Sequence, residues 1–440
     1  MKVCIIGGGA GGRSAAGRIR QLDKKAQIDI LTKQSEIGYA PCELPFVLRG
    51  STVSWDDIFY PGNFFDERQI NVHMNTEVTE ILKQEKRIVS GGESYTYDKA
   101  ILSLGAIPSI PPIPGLDGNN EFTLSTNIAD ARTLETIIPK YTSAAVVGAG
   151  AIGIEITLAL VARGYHSVYL LDVMENVMPS SLDKDMADRI EATMREKGIQ
   201  LILPAMINSI KSESGRKRVT LPDRELEVDF VFLATGAKPN VELARKAGIQ
   251  IGETGAILVN QYLQTSDPDI YAVGDCMENW DVITGSKRRN LMVTTAGITG
   301  DVAATNLVLG NSLPYQGTAM TFIIEIFGHK VGTVGLTERS AREKGLDVVS
   351  HTATTLPRRP KYGSKPICCK LIAERKTQNL LGAQVISEEP IRGAVDELAL
   401  AVACQIPLPK LGQIDTPYSP AVGGDQVQWT IRELINKTGR

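Results

Sequence analysis

Twice in this chain a short apolar run breaks into Gly-x-Gly-x-x-Gly and continues as a helix-forming stretch. The first instance is the run 3–6 followed by Gly7, Gly9 and Gly12, with a helical pattern to about Leu22. The second is the run 144–147 followed by Gly148, Gly150 and Gly153, then Ile154-Glu155 and a helical pattern to about Arg163. A strand that turns into a helix through glycines at this spacing opens a βαβ unit that binds a dinucleotide. The first glycine makes the turn, the second lets a pyrophosphate approach the backbone, and the third lets helix and strand pack closely. The helix N-terminus then offers amide donors and a positive dipole to the phosphates. One such fingerprint is a weak signal, whereas two with the same flanks constrain the fold class strongly.

Each unit is followed by a second strand pattern, at 28–31 and at 168–171. The latter ends in Asp172, 24 residues beyond Gly148. An acid there accepts from an adenosine ribose 2′-hydroxyl and repels a 2′-phosphate. The next residues, Val173 and Met174, offer no arginine, so NADH is favoured over NADPH. Two further apolar runs end in small-residue turns, at Leu104-Gly105-Ala106 and at Ala234-Thr235-Gly236. The proline-rich stretch 107–115 and Lys238-Pro239-Asn240 read as crossings between domains. From Thr318 the pattern changes to strands at 322–327, 331–336, 367–372 and 380–385, with helices near 394–405 and 426–436. This last region carries no glycine fingerprint.

Composition narrows the functions. Glycine is abundant, at 41 of 440 residues, and aromatics are few, at 5%. The net charge of −3 and the absence of a long basic run leave no electrostatic footprint for nucleic acid. No apolar stretch reaches the roughly 18 residues of a membrane span. The N-terminal apolar run is too short for a signal peptide, and a cytoplasmic location is expected. The six cysteines form no CxxC and no metal-ligand spacing, so no metal site is expected and sulfur chemistry would involve one thiol at a time.

Five features in order carry a family resemblance: the Gly7 fingerprint, Tyr39-Ala40-Pro41-Cys42-Glu43-Leu44-Pro45-Phe46, the Gly148 fingerprint, Ala234-Thr235-Gly236, and the run from Thr265-Ser266-Asp267-Pro268 to Val273-Gly274-Asp275. Nearly the whole chain resembles the flavoprotein disulfide reductases with two dinucleotide sites. Within them it is most similar to the single-cysteine branch of coenzyme A-disulfide reductases, NADH oxidases and peroxidases, and persulfide reductases. The resemblance implies an α/β fold with two Rossmann-like dinucleotide-binding domains and a C-terminal α+β dimerisation or interface domain. The expected division is 1–112 and 239–315 for FAD, 113–238 for NAD(H), and 316–440 for the interface. Gly7, Gly9, Gly12, Gly105, Gly274 and Asp275 are the expected FAD residues. Gly148, Gly150, Gly153, Glu155, Asp172 and Gly236 are those expected for NAD(H).

Cys42 is the implied redox residue, beside the flavin at a helix N-terminus whose dipole would favour the thiolate. Val47 stands where the two-cysteine reductases carry their second cysteine, and no histidine lies in the last 89 residues, so their C-terminal acid–base pair is absent. Tyr418 matches one of two tyrosines that coenzyme A-disulfide reductases lend across the dimer, with Tyr362 displaced from the other. Other positions depart from the family pattern: Gly38, Glu43 after the cysteine, Thr32 at the end of the second strand with Asp29 or Glu36 as substitutes, and Gly424-Asp425-Gln426. Glu43 would raise the thiol pKa if it lies nearby. Arg358, Arg359, Lys361 and Lys365 form either a phosphate-binding cluster or a solvated loop. Three readings stand. In the first, a homodimeric FAD enzyme passes hydride from NADH to flavin and reduces a small disulfide, persulfide or dioxygen through Cys42. In the second, the chain is an NAD(H)-reactive flavin subunit beside an iron–sulfur partner in a 2-oxoacid or aldehyde oxidoreductase. The third is a general diaphorase.

Overall fold

The computed structural model describes residues 1–50, 53–423 and 427–438. Five parallel strands form the first sheet in the order Asn71–His73, Gln27–Leu31, Lys2–Ile6, Lys99–Leu102, Ile270–Ala272. Val3 pairs with Ile28 on one side and Lys99 on the other. Val3, Cys4 and Ile5 are buried, as expected of a parallel strand covered on both faces. The helix Ala10–Leu22 covers one face through Ala15, Ala16 and Ile19. The helix Val293–Leu309 crosses it closely, since a Cβ on Gly300 would collide with the Gly11 carbonyl.

A second parallel sheet repeats this order with Gln200–Ile202, Ser167–Leu171, Ser143–Val147, Phe230–Leu233 and Glu121–Phe122. In both sheets the fingerprint strand is central. From it the chain moves first to one side and later to the other, although in the second sheet the edge strand Glu121–Phe122 on that other side precedes it. That reversal opens a crevice at the carboxyl ends of the strands, where ligands bind in open α/β sheets. In both units a three-stranded antiparallel meander is inserted before the fourth strand, at 78–96 and at 209–228. The two units are joined by Ala106–Pro108, which pairs antiparallel with Ala237–Pro239. These are the segments expected from the sequence to cross between domains.

The C-terminal sheet is antiparallel, in the order Phe322–Ile326, His329–Gly335, Leu380–Ser387, Ile367–Glu374, Val348–Thr355. The helices Arg392–Ala403 and Gln428–Thr438 bury Val395, Leu398, Ile431 and Leu434 against Leu371 and Val385. A separate apolar core joins all three parts of the chain. It unites Leu44 and Leu48, near Cys42, with Ile154, Leu158 and Phe230 of the second unit and with Ile324 and Val331 of the C-terminal sheet. No described helix is long and apolar enough to cross a membrane.

Candidate active site

The two glycine turns have the same geometry. Gly7 and Gly148 have φ of 107° and 109°, a region that side-chain-bearing residues avoid. A Cβ on Gly12 would strike the Gly7 carbonyl oxygen, and one on Gly153 that of Gly148, so each third glycine lets its helix lie against its own turn. Gly9 and Gly150 are the N-caps of Ala10–Leu22 and Ala151–Ala162, and a Cβ there would meet nothing within 4 Å. The space above both helix N-termini is therefore open, and it fits a pyrophosphate group.

The remaining predicted residues gather around these turns. In the first unit, Gly274-Asp275-Cys276 forms a 3₁₀ turn just past the strand Ile270–Ala272, beside the carboxyl ends of the strands that carry Gly7 and Gly105. The Gly274 amide donates to Thr299 Oγ1 at 3.0 Å. Burial pushes the Asp275 carboxyl up to about 6. An acid in such surroundings favours a polar partner such as a ribityl hydroxyl. In the second unit, Asp172 Oδ2 accepts from the Ala149 amide at 2.7 Å and Oδ1 from Met174 at 2.9 Å. A carboxylate offers about four acceptor positions. Asp172 therefore keeps capacity for a diol while orienting the glycine turn. Gly105 and Gly236, both with positive φ, end the strands that lead into the paired crossings. Their carbonyls accept from Asn240 and Ser109 respectively.

Cys42 lies in the 3₁₀ turn Pro41–Glu43, which leads into the short helix Leu44–Arg49. That helix packs on Ala151–Ala162, the helix opened by the second fingerprint. Cys42 is exposed, yet its thiol pKa is raised, first by desolvation, then by the charges of Glu43 and Glu155. The thiol pKa is thus raised although Cys42 stands at the start of a short helix. The effect anticipated for Glu43 is present. Glu155 is itself pushed up to about 7 by burial, with Arg49 opposing. The sequence contained no motif that singled out Arg49, which reaches Glu155 only through the packing of the two helices. Tyr39 belongs to the same segment as Cys42. Its hydroxyl lies 2.5 Å from the Thr126 carbonyl and accepts from Ile128 at 3.1 Å, which ties the cysteine segment to the second unit.

Other expectations are corrected. Asp29 is buried and accepts from Gln27 Nε2 and Asn71 Nδ2, with His73 Nε2 at 3.1 Å. Glu36 receives both arms of Arg132 at 3.0 Å. Each thus holds a contact of its own, Asp29 within the first sheet and Glu36 with Arg132 of the second unit. Arg358 leaves the basic cluster, since its guanidinium binds the buried Glu389 at 2.7 and 2.9 Å. Lys361 lies over the Tyr362 ring at 5.1 Å. Tyr418 is 67% exposed on the C-terminal surface. Gly424-Asp425-Gln426 lies outside the described residues.

The chain is similar to known proteins along nearly its whole length. The profile of the pyridine nucleotide-disulphide oxidoreductases matches residues 1–298, and that of their dimerisation domain matches 324–423. The chain is 35% identical over 432 residues to a protein named NADH oxidase from Methanocaldococcus jannaschii, covering 96% of this chain and 95% of that one. It is 34% identical over 397 residues to one named NAD(P)H coenzyme A polysulfide/persulfide reductase from Pyrococcus horikoshii, covering 88% of each. Among solved structures, an NAD-dependent persulfide reductase from A. fulgidus superposes with a TM-score of 0.94 at 32% identity, covering 100% of this chain and 84% of that one.

Proposed function

From the premise that the chain belongs to the pyridine nucleotide-disulphide oxidoreductase family, we propose that it uses NADH and FAD to reduce a small disulfide or persulfide at Cys42. It is an FAD- and NAD(H)-dependent oxidoreductase, and the finer assignment of substrate and residues is ours. The carrying observation is the position of Cys42. It stands on the segment that follows the first fingerprint unit and within electrostatic reach of Glu155, on the helix of the second. Gly7, Gly9, Gly12, Gly105, Gly274 and Asp275 would hold FAD. Gly148, Gly150, Gly153, Glu155, Asp172 and Gly236 would hold NADH. When bound, these cofactors supply the hydride and the two electrons. The chain supplies the thiol.

Cys42 attacks a substrate sulfur as the thiolate, breaking the substrate S–S bond, releasing one thiolate and forming a mixed disulfide, which the two electrons drawn from NADH would cleave to free the second thiol and restore Cys42. For a disulfide the balance is NADH, a proton and RSSR in, and NAD⁺ and two RSH out. Glu155, pushed up to about 7 by burial, carries only part of its charge near neutral pH, which lessens its repulsion of that thiolate. Tyr418 completes the site from a second copy of the chain in a homodimer. Dioxygen is a second acceptor, a reading supported by the relative named NADH oxidase. The iron–sulfur subunit reading is not favoured, because relatives matched along nearly the whole chain are named as an oxidase and a sulfur reductase.

Replacing Cys42 by serine is the test. C42S should keep its flavin spectrum and its anaerobic bleaching by NADH, and lose turnover with disulfides and polysulfide. Persistent sulfur turnover in C42S would rule out the thiol mechanism. Oxidase activity without any sulfur turnover in the wild type would select dioxygen.

A further inference from the structure

The second glycine turn has a neighbour that the family motifs do not include, the loop 173–182 between Asp172 and the helix Lys184–Glu196. Its middle touches the turn, because the Met178 amide donates to the Ala149 carbonyl at 2.8 Å. The Ala149 amide in turn donates to Asp172 Oδ2 at 2.7 Å. Met178 is buried and has φ of 49°, so its backbone is held in a sparsely populated region by its surroundings. The next residue, Pro179, has its carbonyl bound by Arg339 Nη2 at 2.6 Å, and Arg339 belongs to the C-terminal part of the chain.

The far end of the loop is held from the same side. Asp183 accepts from the Glu338 amide at 3.0 Å and from Gln384 Nε2 at 2.7 Å, and its own amide donates to Gln384 Oε1 at 3.0 Å. Buried Lys370 reaches Asp183, Asp185 and Glu338 at 3.3, 2.8 and 3.2 Å. These contacts anchor a helix start. The Arg339 contact differs, because it falls on the loop itself, one residue from the bond that meets the glycine turn.

We propose that Arg339 is a positioning residue for NADH: by holding the Pro179 carbonyl it keeps Met178 on Ala149, and so fixes the Ala149 amide and the Asp172 carboxylate where pyrophosphate and ribose dock. The C-terminal part of the chain then acts on dinucleotide affinity without touching the dinucleotide. This rests on the reading that Gly148 and Asp172 hold NADH.

The test uses the FAD-loaded enzyme and ADP-ribose, a probe with the ribose and pyrophosphate but no redox group, titrated by calorimetry. Arg339→Met keeps the aliphatic stem and removes the donors. Its dissociation constant should rise roughly fivefold, the equivalent of one ordinary hydrogen bond. KM for NADH should rise in step, with the limiting rate of flavin bleaching unchanged. Arg339→Lys, which keeps a donor, should recover much of the loss. Arg339→Leu, which also lacks a donor, replaces the Met variant if that variant does not retain flavin. Wild-type affinity in the donor-free variant, with Asp172→Ala weakened, overturns the positioning role. Wild-type affinity in Asp172→Ala as well overturns the underlying site assignment instead. A fall in limiting rate at unchanged affinity also overturns the proposal.

Discussion

Cys42 and its neighbours show how one side chain can be exposed and still be disfavoured as an anion. Desolvation and the carboxylates of Glu43 and Glu155 all act in the same direction on the thiol. Removing one of those charges should act in the opposite sense. E43Q is expected to move the pH midpoint of Cys42 alkylation downward, so that more thiolate is present at any given pH. Mass spectrometry of the alkylated peptide checks this and separates Cys42 from Cys404, the other exposed cysteine. An unmoved midpoint would mean that Glu43 does not act on the sulfur. The sign of the Glu43 effect on Cys42 was legible in the sequence, because it depends on adjacent residues. Arg49 and the raised pKa of Glu155 were not, because they depend on two helices far apart in the chain meeting across an apolar interface.

At the scale of elements, the glycine turns make opposite predictions for the two cofactors. A methyl group on Gly153 would press on the Gly148 backbone, and one on Gly12 on the Gly7 backbone. Neither contact is relieved by rotating a side chain, so each costs on the order of 1–3 kcal/mol of strain. G153A should purify with full flavin and bind NAD⁺ at least tenfold more weakly. G12A should lose flavin. The ratio of flavin to protein absorbance and an NAD⁺ titration separate the two, and equal behaviour of the variants would contradict their separate assignments. The fingerprint strands and helices were readable because their periodicity and turn chemistry agree, and Ala10–Leu22 lies where the pattern puts it. The strand Val348–Thr355 was not. Its sequence, VVSHTATT, lacks an apolar run, and it lies at one end of the C-terminal sheet, mostly half-exposed. The two meanders were missed for a similar reason, since their strands are short and charged.

For the whole molecule, the C-terminal surface is the part a single chain leaves unfinished. Val422, Tyr418 and Trp429 are 77%, 67% and 55% exposed, within and just beyond the part matched as a dimerisation domain. Large exposed apolar residues of this kind mark association surfaces. Sedimentation should give twice 47.6 kDa. Coexpressing a C42S chain with a Y418F chain tests whether the site is shared. Neither variant alone should turn over a sulfur substrate. Random pairing into twofold dimers would restore roughly a quarter of wild-type activity, since half the dimers hold one intact site of two. No recovery would place Tyr418 in the site of its own chain, and turnover by Y418F alone would place it outside the site.

The first sheet also has a consequence for how the chain is made. Its edge strand, Ile270–Ala272, and the crossing helix Val293–Leu309 are translated only after the entire second sheet. At ~5–20 residues per second, the amino-terminal strands wait roughly ten to thirty seconds on the ribosome for their missing neighbour. The second sheet, whose strands are contiguous in the message, meets no such delay. The nascent chain can therefore complete the sheet of its second glycine turn first, and the sheet of its first glycine turn closes later, around an apolar strand edge that has been exposed to chaperones throughout.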